Sequence, residues 1–96
     1  MKKIKASVSF REVLKEDLKD PEFKKAFEDA DLPVRLAIQI AKARERAHLS
    51  QAQLARKIGT KQQAISRIES GNHNITIEFL QRIAGATGTS AEVFLH

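Results

Sequence analysis

The stretch "LSQAQLARKIGTKQQAISRIESG", residues 49–71, is the part of the sequence that best indicates how the chain folds. Its apolar side chains recur at helical spacing in two short runs, and Gly59 and Thr60 lie between the runs. A connection of that length allows only a sharp corner between two helices. Glycine readily takes the left-handed conformation in which helices end. The stretch therefore predicts a helix, a tight turn at Gly59 and a second helix.

Capping boxes mark the starts of both helices. Ser50 precedes Gln53, and Thr60 precedes Gln63, at the spacing that lets a hydroxyl and an amide each bind the other residue's backbone N–H. When the apolar side chains turn inward, a polar set is left on the outer side of the second helix. The inward residues are Leu54, Ile58, Ile65 and Ile68, and the outward residues are Lys61, Gln62, Gln63, Ser66 and Arg67.

Two adjacent glutamines at the head of a helix suit the recognition of DNA bases. A side-chain amide presents a donor and an acceptor together, which matches N6 and N7 of adenine in the major groove. Gln62 and Gln63 are therefore predicted to contact bases, and Arg67, one turn later, to contact guanine or phosphate. The alternative for Lys61 and Arg67 is that they are ordinary solvated charges.

Phosphate contacts are expected on either side of the glutamines. Ser50 and Gln51 stand at the amino end of the first helix, where backbone N–H groups and the helix dipole favour an anion. Asn72 follows the second helix on the same side, and Arg56 and Lys57 add electrostatic attraction without sequence information. The predicted DNA-binding residues are Ser50, Gln51, Lys61, Gln62, Gln63, Ser66, Arg67 and Asn72.

Helix signals recur along the rest of the chain, whereas strand signals are absent. A capping box predicts a helix over about 9–18, and an Asp-Pro pair predicts another over about 20–29, in which Phe23 and Phe27 stack. A break at 31–33 marks a domain boundary. Further helices are predicted to begin near Val34, Ser50, Thr60, Thr76 and Ser90, and the one after Thr76 ends at Gly88 with Ile77, Leu80, Ile83 and Ala84 facing inward. The sequence thus predicts an all-α protein, with a helical extension at 1–33 and a five-helix domain at 34–96.

Composition limits the kind of protein. The 96 residues bury one modest core, and the absence of cysteine excludes disulfides and fits a reducing cytoplasm. The longest apolar run, at 36–41, is too short to cross a membrane. The histidines lack ligand spacing, and no nucleophile, base and acid fall into a catalytic arrangement. We therefore expect no metal, no cofactor and no enzymatic activity.

The net charge of +5 is unevenly distributed. Residues 1–33 hold eight basic and eight acidic side chains, whereas residues 34–96 hold nine basic and four acidic ones. Such asymmetry favours contact between the carboxyl-terminal two-thirds and a polyanion. The alternative is that the charge only keeps the protein in solution.

Residues 49–71 resemble the helix-turn-helix of the phage-repressor-like (Xre/Cro) family, and the similarity extends over roughly residues 36–88. The shared elements are Ser-Gln opening one helix, Leu-Ala within it, the Gly-Thr corner, Gln-Gln heading the recognition helix, and Glu-x-Gly closing it. In that family the glutamines contact bases and the Ser-Gln pair touches phosphate. The resemblance also implies a buried pair between Arg44 and Glu69 that joins the first and third helices.

The front third is similar to a narrower group. Residues 13–31, "VLKEDLKDPEFKKAFEDAD", followed by such a domain, resemble HigA-type antitoxins of type II toxin–antitoxin modules. The resemblance implies a cytoplasmic homodimer that binds an inverted-repeat operator in double-stranded DNA, represses its own operon and neutralises a RelE-like toxin. It assigns toxin binding to residues 1–33 as a region, although Phe23 and Phe27 are better explained by local packing than by a partner-binding stripe.

The sequence leaves three functions open. The first is a DNA-binding antitoxin that represses its own operon. The second is a stand-alone Xre-family transcriptional repressor without a toxin partner, in which residues 1–33 are a mere extension. The third is an interaction protein whose main task is toxin capture and whose DNA binding is weak.

Overall fold

The computed structural model describes residues 8–9, 12–71 and 74–90. These residues contain five α-helices and one pair of short strands. The helices are α1 (Pro21–Asp29), α2 (Leu32–Arg46), α3 (Gln51–Ile58), α4 (Gln62–Glu69) and α5 (Ile77–Thr87). The strands are β1 (Val8–Ser9) and β2 (Thr89–Ser90), and two short 3-10 helices, Glu12–Leu14 and Asp17–Lys19, precede α1. The predicted all-α, helix-turn-helix fold class is confirmed.

The hydrophobic core lies between α2, α3, α4 and α5. Each helix contributes an apolar stripe to this core. The residues of this core cluster are Ile40 and Ala43 from α2, Leu54, Ala55 and Ile58 from α3, Ile65 and Ile68 from α4, and Leu80, Ile83 and Ala84 from α5. Within the described ranges, no helix has the length and apolar character needed to cross a membrane.

Several helix ends lie where the sequence predicts them. Asp20 caps α1 and Thr76 caps α5, each by accepting a backbone N–H of the first turn at 3.1 Å. Gly88 ends α5 in the left-handed conformation, with φ of 72°. α2 begins at Leu32, before the predicted Val34, since proline in the second position of a helix disturbs no hydrogen bond. The helix predicted after Ser90 falls on residues outside those described.

The single α-helix predicted over about 9–18 is wrong. β1 pairs in parallel with β2, and two 3-10 helices follow it. Leu14 is 1% exposed and belongs to the 3-10 helix Glu12–Leu14, which contacts α2. A short helix has little stability by itself, so pairing with β2 and burial of Leu14 determine the backbone here. The strand pair also contradicts the expectation that strands are absent.

One predicted core position on α5 is also wrong. Ile77 is 51% exposed, while Leu80, Ile83 and Ala84 are buried as predicted. Ile77 is the first residue of α5, so it lies at the edge of the face that the later turns bury. Helical spacing alone does not show where along a helix its contact with neighbours begins.

α1 lies at the edge of the fold, and none of its residues is buried. Phe23 and Phe27 stack as predicted, with ring centroids 6.1 Å apart. Arg35 of α2 donates to the carbonyls of Phe27 and Ala30 at 3.1 and 2.9 Å, and its guanidinium carbon lies 5.8 Å from the Phe27 ring centroid. A cation at a helix carboxyl end satisfies free carbonyls and complements the dipole. Arg35 therefore fastens α1 to α2.

Replacing Leu14 by alanine should lower the free energy of unfolding by about 2–4 kcal/mol, because a buried leucine loses its apolar contacts and leaves a cavity. Urea unfolding followed by circular dichroism measures the change. Leu32→Ala is the control: Leu32 is 67% exposed, and its loss should change the free energy by less than about 0.5 kcal/mol. A small effect at both positions would show that residues 12–14 do not belong to the core.

Candidate nucleic-acid interface

The corner between α3 and α4 is fixed by backbone hydrogen bonds and by α5. Gly59 ends α3 in the left-handed conformation, with φ of 75°, as predicted. The N–H of Thr60 then donates to the carbonyl of Ala55 at 2.8 Å, which closes a Schellman turn. Arg82 of α5 donates to the carbonyl of Ile58. The corner is therefore held from within and from the neighbouring helix.

The capping box predicted from Thr60 and Gln63 is wrong. α4 begins at Gln62, and its N-cap is Lys61, whose side chain makes no capping bond. Because the turn at Gly59 takes Thr60 into the end of α3, α4 starts one residue later than the box requires. Gln63 is then the second residue of the helix, from which an amide does not form the box. The head of α4 thus carries two glutamines that take no part in a capping box.

The outer face of α4 carries the polar set that the sequence predicts. Ile65 and Ile68 are buried, which fixes the rotation of the helix about its axis. All the outward side chains are exposed: Lys61, Gln62, Gln63, Ser66 and Arg67. A surface recess of about 560 Å³ lies along this face, lined by Gly59, Thr60, Lys61, Gln63, Ala64 and Arg67. Amides and cations therefore share one accessible surface, and their contact with bases stays a prediction.

The capping box at the start of α3 is confirmed. Ser50 Oγ accepts from the N–H of Gln53 at 3.0 Å, and Gln53 Oε1 accepts from the N–H of Ser50 at 2.8 Å. The box does not use the N–H groups of Gln51 and Ala52, which belong to the same first turn. The dipole at this end favours an anion. A phosphate contact here is therefore expected through the backbone of Gln51 and Ala52, not through the backbone N–H of Ser50.

A charged pair joins α2 to the carboxyl end of α4. Arg44 Nε and Nη2 donate to the two carboxylate oxygens of Glu69 at 2.8 and 3.1 Å. Arg44 Nη1 donates to the carbonyl of Leu49 at 2.8 Å. The side chains of Arg44 and Glu69 are 15% and 7% exposed. The pair implied by the family resemblance is confirmed, in the two-pronged geometry that makes such pairs strong.

The Glu69 carboxylate raises the pKa of the Arg44 guanidinium above its ordinary value, chiefly through their hydrogen bond, while burial acts in the opposite direction. A base whose pKa is raised by folding stabilises the fold at every pH below its ordinary pKa. That stabilisation is lost only in strongly alkaline solution. Arg44 therefore stays charged wherever the protein folds and adds no pH dependence near neutrality.

Gln51 makes a contact that the sequence did not reveal. Its Nε2 donates to Glu69 Oε1 at 3.0 Å, so the carboxylate receives donors from both α2 and α3. The sequence predicts Gln51 as a phosphate contact, whereas its half-buried side chain is directed at α4. The bond joins residues 18 positions apart. A local sequence pattern contains no signal for a contact over that distance.

The remaining predicted positions are divided between accessible surface and residues outside the described ranges. Arg56 and Lys57 are exposed on α3. Asn72 lies outside the described residues, so its predicted phosphate contact stays a prediction. Arg82, which anchors the corner, was not among the predicted residues. A lone arginine on the next helix does not indicate which carbonyl it binds.

A protein-family model described as helix-turn-helix matches residues 40–94. The matched segment contains residues 40–46 of α2 and all of α3, α4 and α5. It therefore includes the corner, the polar outer face of α4 and the pair between Arg44 and Glu69. Neither the curated proteins nor the solved structures include a significant match to this chain.

Replacing Arg44 by methionine should lower the free energy of unfolding by about 3 kcal/mol, because the Glu69 carboxylate would remain buried without its cation. Denaturant unfolding at neutral pH measures the loss. The matched control is Lys25→Met, which removes the pair between Lys25 and Asp29, whose side chains are 80% and 67% exposed. That change should amount to less than about 1 kcal/mol. If both variants lost the same small amount, the Arg44–Glu69 pair would not hold α4 in place.

Proposed function

We propose that this chain, which belongs to the Xre/Cro-like helix-turn-helix family of DNA-binding regulators, is a sequence-specific DNA-binding antitoxin acting in the cytoplasm. In this proposal a homodimer represses its own operon and neutralises a RelE-like toxin encoded beside it. The observation that carries the DNA-binding part is the exposed polar end of α4 on a helix whose opposite face is buried.

Base recognition is proposed for the first residues of α4. Gln62 and Gln63 are exposed at the amino end of the helix, which is the end that enters the major groove in helix-turn-helix proteins. Each amide matches the N6 and N7 edge of adenine. Ser66 and Arg67 follow one turn later on the same outer face. The burial of Ile65 supports this assignment, because it keeps the glutamines turned away from the core.

Phosphate contacts are proposed around that helix. Residues 32–90 hold nine basic and three acidic side chains, so the domain attracts a polyanion. Lys61 and Arg67 lie on the recess beside α4, and the backbone N–H groups at the start of α3 face an anion favourably. These groups position the helix on the duplex. Two copies then place their recognition helices about 34 Å apart on an inverted repeat.

The antitoxin part of the proposal rests on the front of the chain. Residues 12–31 hold eight acidic and four basic side chains, the opposite balance to the rest of the described chain. α1 buries none of its residues, so its whole outer surface is available to a partner. An acidic helix fixed to a DNA-binding domain suits a basic toxin. We therefore keep toxin binding within the extension at residues 1–33, with α1 as the contacting element.

The alternative is a stand-alone repressor without a toxin. The burial of Leu14 favours this alternative, because it gives part of the extension a structural task in the domain. The two functions differ in one observable property. An antitoxin forms a stoichiometric complex with the product of an adjacent reading frame, whereas a stand-alone repressor binds its operator only. Co-expression of the two proteins followed by gel filtration separates them.

Replacing Gln62 or Gln63 by alanine should weaken binding to the preferred operator by about 1–3 kcal/mol, because a two-pronged contact to a base is lost. Affinity for random duplex should hardly change, and fluorescence anisotropy on both duplexes measures the difference. Lys57→Ala is the comparison: it should weaken binding to all duplexes and reduce the salt dependence. Equal weakening on operator and random DNA by the glutamine variants would contradict base recognition.

Reversing charge on α1 should weaken toxin binding at low salt about tenfold, through a slower association rate, while operator binding stays unchanged. The variant is Glu22→Lys with Glu28→Lys, since both side chains are exposed. Surface plasmon resonance with the adjacent gene product measures the rates. Lys24→Glu, on the same helix, should leave the association rate unchanged or raise it. A toxin that binds the reversed variant as well as wild type does not use α1.

A further inference from the structure

The Gln51 side chain connects the first turn of α3 to the last turn of α4. Its Nε2 lies 3.0 Å from Glu69 Oε1, on a carboxylate whose side chain is 7% exposed. Arg44 binds the same carboxylate through two nitrogens. The end of the recognition helix is thus held by donors from two other helices. Partly buried hydrogen bonds of this kind restrict geometry more than exposed ones, because water competes less for them.

The donors themselves stand on a fixed backbone. Arg44 Nη1 donates to the carbonyl of Leu49 at 2.8 Å, and the N–H of Leu49 donates to the carbonyl of Arg44 at 3.1 Å. Ser50 then forms the capping box that starts α3, one residue before Gln51. The link from Arg44 through Leu49 and Gln51 to Glu69 is therefore a closed ring. A closed ring leaves the carboxyl end of α4 little freedom to move.

Because α4 is short, a movement at its carboxyl end, at Glu69, displaces its amino end, at Gln62. The helix has eight residues, so its first and last Cα atoms lie about 10 Å apart. A tilt of 10° at the Glu69 end would move the Gln62 end by about 2 Å, whereas hydrogen bonds to base edges tolerate a few tenths of an ångström. The buried isoleucines hold one face of α4 but do not fix its tilt along that face. The ring at Glu69 supplies the second point of attachment.

We infer that Gln51 is a positioning residue for DNA recognition: its side-chain amide holds the carboxyl end of α4 through Glu69 and thereby aims Gln62 and Gln63 at the bases. This role rests on the proposed sequence-specific DNA binding. It differs from a phosphate contact by the Gln51 side chain, which would affect every duplex alike. Correct orientation of the glutamines should raise affinity for the operator, while it should hardly change affinity for random DNA.

The first experiment compares operator and random duplex. Gln51→Leu keeps the size of the side chain and removes the donor. It should weaken operator binding about three- to tenfold, less than the full worth of a hydrogen bond to a carboxylate, because Arg44 still holds Glu69. Random-duplex affinity should stay within about twofold, since phosphate contacts are retained. Gln51→Lys, which keeps a donor toward the carboxylate, should hold the operator-to-random ratio near that of wild type. Gln81→Leu, the same change at an exposed position of α5, is the control and should alter neither affinity.

The second experiment uses the free protein. In amide ¹H–¹⁵N spectra, Gln51→Leu should shift signals along α4 as far as Gln62 and Gln63, whereas Gln81→Leu should leave α4 unchanged. Shifts confined to the residues next to Glu69 would overturn the positioning role, because the far end would then be unaffected. Equal loss on operator and random duplex would overturn it in favour of a phosphate contact. If wild-type protein prefers no duplex, the proposed function fails, and the free-protein spectra alone decide whether Gln51 orients α4.

Discussion

The carboxylate of Glu69 is the point on which the recognition surface depends. It stands at the last residue of α4 and is bound by Arg44 of α2 and Gln51 of α3. A carboxylate this far from water requires its cation, so any movement of α4 away from the other two helices leaves a charge unpaired. The burial of Ile65 and Ile68 sets which face of α4 is outward, and Glu69 sets where that face points. The hydrogen bonds to Glu69 therefore serve both the proposed orientation of α4 and the stability of the fold.

The start of α4, unlike its end at Glu69, is not held by side-chain hydrogen bonds at its cap. Its N-cap, Lys61, makes no capping bond, although a serine or threonine in that position is usually worth about 1 kcal/mol. The fold instead uses Thr60 to close the turn after α3, and the first turn of α4 exposes amides and a cation. The amino end of α4, proposed for base contacts, therefore lacks a capping bond, whereas the carboxyl end is bound by Arg44 and Gln51 through Glu69. Such conflicts between local preference and structure are expected at functional surfaces.

The front of the chain is attached to the domain in two different ways. Leu14 belongs to the buried interior, and β1 pairs with β2 near the other end of the described chain. α1 has no buried residue, and Arg35 of α2 binds the carbonyls of Phe27 and Ala30 at its carboxyl end. The first attachment makes the extension part of the fold, and the second leaves an acidic helix on the surface. The buried attachment gives part of the extension a structural task, and the exposed helix is the part that the proposed toxin contact uses.

Sequence patterns predicted the elements whose signals lie within a few residues of one another. Caps at Asp20, Ser50 and Thr76, the left-handed turn at Gly59 and the apolar spacing located most helices, the corner and the exposed face of α4. The partner of Glu69 on α2 came from a family resemblance, not from spacing. Tertiary packing produces three features that the sequence patterns did not predict: the strand pair, the late start of α4 and the Gln51 bond. Each of these depends on groups brought together by packing, and a local pattern carries no information about a partner many residues away.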